Sequence, residues 1–217
     1  MTSGAIGATG GVTCHLGGAG RTGPFRTAAA VVLLGWCATG SAHTGTGLAG
    51  GFVPGFEHPF NGLDHLLAMV CVGLWGAFLG RPLIQTLPVA FPLMMVGGAM
   101  LGMFGVPIPA LEMGIALSVL VLGACIALAL RAPIGVAVSI VAVFAVFHGY
   151  AHGRELPSAA DPVGYSAGFV IATGLLHVLG IGLGLLSERP RGALVIRGAG
   201  CVICALGGWF VYRAVAA

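Results

Sequence analysis

Charge is what this chain has least of. Only 7% of its 217 residues are Asp, Glu, Lys or Arg, where soluble domains carry about 25%. With 58% hydrophobic residues and a mean hydropathy of +1.04, a water-soluble domain is excluded and the chain reads as an integral membrane protein. Lysine is missing altogether. All nine basic residues are arginines scattered along the chain, so the net charge of +3 builds no nucleic-acid patch. A disulfide framework is missing too: the six cysteines (Cys14, Cys37, Cys71, Cys125, Cys201 and Cys204) lie mostly in apolar runs. The pair C-V-I-C at 201–204 sits inside such a run without partners, where small packing cysteines are ordinary.

Enzyme motifs are equally scarce. There is no Walker A sequence, so the chain itself hydrolyses no ATP, and no H-E-x-x-H zinc motif. G-Y-S-A-G at 164–168 fits G-x-S-x-G, with His177 downstream. On one helix, however, Ser166 and His177 stand about 16 Å apart, too far for a nucleophile–base bond. The strand–turn–helix setting of a nucleophile elbow is also missing. An intramembrane hydrolase is therefore a remote alternative, and the chain is expected not to be an enzyme.

What the sequence does hold is a series of apolar segments. Arg21 and Arg26 precede T-A-A-A-V-V-L-L-G-W-C-A-T-G, and Gly40 and Ala42 are small residues at −3 and −1 of a cleavage before His43. Residues 1–42 thus read as a cleavable signal peptide, with an uncleaved short anchoring helix as the alternative. Six segments of near-spanning length follow, at about 63–80, 83–104, 111–130, 133–151, 163–186 and 193–214. R-P, V-P-I-P, R-A-P, G-R-E-L-P-S-A-A-D-P and S-E-R-P-R-G separate them. Pro88 and Pro92 fall within the second and should kink it. The 39 glycines suit close helix approach in lipid. The expected fold is all-α: a polytopic membrane protein, with a bundle of six transmembrane helices forming one domain over 43–217. If residue 43 starts outside, Arg81, Arg131, Arg189, Arg191 and Arg197 lie on the cytoplasmic side, against Arg154 and Arg213 outside.

The remaining ionisable residues gather on the outer side in that topology. His58, Asp64 and His65 open the first segment. His148 and His152 end the fourth, and at i, i+4 spacing both rings project from one helix face. Glu155 follows on that face if the helix continues past Gly153. Glu57 and Glu112 also fall outside, His177 lies near the middle of the fifth segment, and only Glu188 is clearly cytoplasmic. An ionisable group in the membrane costs roughly 2.5–3.5 kcal/mol on insertion scales, so each points to function. Imidazoles with carboxylates suit nickel, cobalt, zinc or copper(II), and suit calcium or magnesium poorly. Neutral imidazole binds metal and protonated imidazole does not, so capture should weaken below about pH 6.5. A plainer reading stands beside this one. A lone histidine near a helix end is an interfacial hydrogen-bonding residue, which suffices for His15 and stays open for His177. Glu112 stays open as an interfacial cap, and Asn61 with Gly62 shapes a re-entrant turn. Cleavage would give His43 a free amine beside its ring, a chelating pair; an ordinary processed end is the equal alternative.

The stretch H-P-F-N-G-L-D-H-L-L-A-M-V-C-V-G-L-W-G at 58–76 closely resembles the signature of the HupE/UreJ family. F-H-G-Y-A-H-G-R-E at 147–155 resembles its second motif, and A-T-G-L-L-H-V-L-G at 172–180 is similar to its fifth-helix stretch. The resemblance covers the whole mature chain. It implies a secondary permease for nickel or cobalt associated with hydrogenase and urease, in the inner (cytoplasmic) membrane with a periplasmic N-terminus. It implies metal binding at His58, Asp64, His65, His148, His152 and Glu155, with Ni2+ or Co2+ as the carried ion and no prosthetic group. The implied partners are the lipid bilayer and hydrogenase or urease maturation proteins, with no nucleic acid. His43 would add an outer and His177 an inner position. The H-x5-D-H spacing is one residue longer than the H-x4-D-H of the larger nickel–cobalt permeases, so their coordination geometry is not carried over. A non-transporting membrane factor that binds nickel and delivers it is the alternative the residues leave open.

Overall fold

The computed structural model describes residues 51–156 and 161–216, which are helical almost throughout. In chain order these are α1 (Phe52–Asn61), α2 (Leu63–Leu79), α3 (Leu83–Met103), α4 (Leu111–Ala127), α5 (Ile134–Glu155), α6 (Pro162–Leu185) and α7 (Pro190–Ala216). A 3-10 turn, Leu186–Glu188, joins the last two. The all-α expectation holds among the described residues, and each expected apolar segment corresponds to one of α2 to α7. The signal-peptide reading of residues 1–42, and His43, lie outside the described residues.

Four helices, α3, α5, α6 and α7, are long and apolar enough to cross a membrane, and α1 with α2 makes a fifth if the bent pair is one span. The 17 residues of α4 are apolar but short, about 25 Å against a hydrocarbon core of roughly 30 Å. The chain is a multi-pass helical membrane protein of four to five spans by length and composition.

The element not anticipated is α1. Ten residues with a proline inside resemble a turn in the sequence. Pro54 sits in the first turn, where no intrahelical N–H is needed, and Pro59 removes a bond near the end. Gly55, His58 and Pro59 form its buried stripe at i, i+3, i+4, while Phe52, Val53 and Phe60 stay exposed. The chain then turns by 87° at Gly62 into α2. Asp64 lies in the first turn of α2, where its Oδ1 accepts the backbone N–H of His65 at 2.8 Å and meets the favourable end of the helix dipole. From Ala68 to Gly76 every residue of α2 is buried, which makes it the central helix.

Glycine sets the spacing around it. A Cβ at Gly73 of α2 would collide with the carbonyl oxygen of His177 on α6, and one at Gly149 of α5 would collide with that of Met95 on α3. Backbones therefore touch where only hydrogen fits. Gly149→Val is expected to wedge α3 from α5 beside His148 and His152, costing about 1–3 kcal/mol or more. A thermal unfolding midpoint unchanged from wild type in detergent would contradict that.

The far end of α2 is held separately. The Trp75 indole donates to the Leu130 carbonyl (3.2 Å) and the Arg197 guanidinium to that of Ala127 (3.0 Å). The second bond satisfies the last carbonyl of α4, which no intrahelical N–H reaches, and the first a carbonyl in the turn that follows it. Arg131 lies over the Phe78 ring at 5.6 Å. In the C-V-I-C pair Cys201 is exposed and Cys204 half-buried, while Gly123 of α4 packs against the Cys204 backbone. Cys204 is thus part of the α4–α7 interface, and Cys201 is not.

Candidate metal centre

The two sequence clusters meet where α1 turns into α2 and α5 ends. Helix α5 runs unbroken through Gly153 to Glu155, so His148, His152 and Glu155 line one face as their spacing requires. The right-angled turn at Gly62 carries His58 over that face from the other side. Ligand atoms of His58, His152 and Glu155 lie within 4.8 Å of one another. Glu155 Oε2 is 3.5 Å from His58 Nε2 and 4.0 Å from His152 Nδ1. The His152 ring packs at 4.8 Å from His58 and 5.0 Å from His65, and the His65 ring at 4.6 Å from His148. All four rings are buried. Imidazoles cost free energy to desolvate, so four gathered at one helix end need a compensating partner.

Two neighbours orient these rings. Asp64 Oδ1 lies 3.0 Å from His65 Nδ1. A carboxylate accepts only, so Nδ1 carries the proton and the lone pair of the neutral ring lies on Nε2. Ser118, fully buried on α4, donates its single proton to the Ile115 carbonyl at 2.6 Å. It therefore accepts from His148 Nε2, 3.0 Å away, and leaves the lone pair on Nδ1. Both assignments follow from the donor inventory. Ser118→Ala should lower metal affinity about 10-fold or more, as loss of an orienting partner does. Competition against a chromophoric chelator checks this; an unchanged affinity would remove Ser118 from the centre.

The other candidates separate from this group. His177 is buried on α6, and Phe91 of α3 stands between it and His148, with ring centroids 5.4 and 5.7 Å away. Glu57 and Glu112 are exposed, and Glu112 joins no ligand cluster among the described residues. Ser166 is exposed while His177 is buried on the same helix, so G-Y-S-A-G forms no dyad with that histidine. Three residues at the site have no role assigned from the sequence: Ser118, Tyr165 and Phe169. The Tyr165 ring is 5.8 Å from His58, and Phe169 packs 4.3 Å from His152. A lone serine in the apolar run of α4 was the one detectable hint; the aromatics look like packing.

A cleft of about 100 Å³ opens beside the centre, between α3, α5 and α6. His152, Tyr165, Phe169 and Thr173 line one side, Pro92 and Met95 the other. It runs from His152 along α6 to Thr173.

Fold and site together define a class: a polytopic helical membrane protein with a buried histidine–carboxylate cluster suited to a divalent metal. The family model described as HupE / UreJ protein matches residues 30–210. The chain is also 46% identical over 167 residues to Protein HupE of Rhizobium leguminosarum bv. viciae, covering 76% of this chain and 87% of that one. This chain belongs to the HupE/UreJ family. No solved structure matches it.

Proposed function

We propose that the protein is a secondary permease that takes up a divalent transition-metal ion, Ni2+ or Co2+, from periplasm to cytoplasm for hydrogenase or urease maturation. The observation that carries this is the convergence of His58, His152 and Glu155 within 4.8 Å, from helices α1 and α5. Mixed imidazole and carboxylate donors are what such ions prefer. Family membership and the Arg distribution support the rest. The chain sits in the inner membrane with a periplasmic mature N-terminus and a cleaved leader. Its single domain crosses six times, with α1 and α2 as one bent span and α4 as a short one.

In this reading Glu155, His58 and His152 receive the ion at the periplasmic mouth. His65, oriented by Asp64, and His148, oriented by Ser118, replace its water ligands. His43 would supply an outer chelating end. The ion is cargo, and the site must bind tightly enough to select and loosely enough to release.

The test is uptake of radioactive nickel into sealed proteoliposomes. Saturable entry suppressed by cobalt supports a permease. Binding to the purified protein without entry would instead establish a factor that holds nickel and hands it on.

A further inference from the structure

Beyond Phe91 the interior holds a second group of donors. The His177 ring bonds to the Pro88 carbonyl, and the sequence explains why that carbonyl is available. In a helix it would accept from the residue four positions on, but that residue is Pro92, which has no N–H. With the ring held there, His177 Nε2 is buried and has no hydrogen-bond partner among the described residues. One turn back along α6, the Thr173 hydroxyl donates to the Met69 sulfur at 3.5 Å. A helical threonine usually turns its hydroxyl to a carbonyl of the preceding turn; here it faces a thioether. Met69 and Thr173 are fully buried. Gly73, one turn beyond Met69, rests on the His177 backbone, so sulfur and hydroxyl meet across the α2–α6 contact, and the imidazole projects one turn further along α6, against Pro88 and Phe91 of α3. The cleft beside His152 reaches Thr173.

We infer that Met69, Thr173 and His177 form a second metal station, inward of the first, for a borderline-to-soft divalent cation. Thioether sulfur and imidazole are the donors such ions accept, and hard cations do not. None of the three carries charge, unlike Asp64 and Glu155 at the first station. A dication held by neutral donors is held weakly, as suits an ion about to leave a transport path. The inference rests on the permease reading for its purpose but not for its geometry.

The test is a binding titration of the purified full chain with Cd2+, a softer probe than nickel, together with X-ray absorption at the cadmium edge. Two ions per chain are expected, with sulfur in the first shell of one. His177→Phe should abolish the second ion. Met69→Leu, which keeps the volume, should weaken it at least tenfold and remove the sulfur signal. Cys71→Ala should leave the sulfur signal unchanged, and His65→Ala should weaken only the first ion. One ion per chain, removed by His65→Ala and lacking sulfur, would overturn the second station while leaving the first intact. No ion at all would overturn both. In a chain whose cysteines are all replaced by alanine, which removes the thiols that cadmium would otherwise bind, sulfur scattering that survives Met69→Leu would also overturn it.

Discussion

His152→Ala should reduce nickel entry into proteoliposomes to the level of protein-free vesicles, a loss of at least 100-fold. His152 is the hub of the centre: its ring neighbours those of His58 and His65, and Glu155 Oε2 lies 4.0 Å from its Nδ1. Changing a residue that only orients a ligand typically costs 10- to 100-fold in affinity, so removing a ligand itself should cost more. A cavity could mimic this effect, because the ring also packs 4.3 Å from Phe169. His152→Phe separates the two causes. It refills the space without a donor nitrogen, so it should restore thermal stability and leave uptake absent. Uptake by His152→Ala within threefold of wild type would remove this centre from the transport path.

Much of this arrangement is legible in the sequence, and the rest is hidden for physical reasons. Helices α2 to α7 follow apolar runs bounded by proline and arginine, because a spanning segment must satisfy its backbone internally. The face shared by His148, His152 and Glu155 follows from helical periodicity once the chain continues past Gly153. The position of His58 does not. It depends on the ten-residue helix α1 and its 87° turn into α2. With Pro59 inside and only one buried stripe, α1 has no independent stability; packing of Gly55 on the Tyr165 backbone supplies the contact instead. Ser118 was legible only as an oddity in an apolar run, since its role needs a residue 30 positions away. His177 was ambiguous for a similar reason. Its ring depends on a carbonyl freed by Pro92, a consequence of helix hydrogen bonding that becomes visible only when α3 and α6 are seen side by side.

The carboxylates give the second large effect. Glu155 and Asp64 together carry the charge that matches a dication, and their side chains are 20% and 24% exposed, so water screens them only in part. At 4 Å two unit charges attract by roughly 4 kcal/mol at an effective dielectric of 20. Even half of that is worth more than tenfold in affinity. Glu155 would touch the ion directly, whereas Asp64 acts through the His65 ring and stands one imidazole further away. Glu155→Gln should therefore weaken nickel binding about 100-fold and Asp64→Asn about 10-fold. The double variant should lose at least 1,000-fold, because its imidazoles would have to hold an uncompensated dication in a poorly hydrated site. Amides match carboxylates in shape, so the metal-free melting temperature should stay within a few degrees of wild type. That second readout distinguishes lost electrostatics from a lost fold. If the double variant binds nickel within tenfold of wild type, the ion does not sit between these carboxylates, and the imidazoles serve some other ligand.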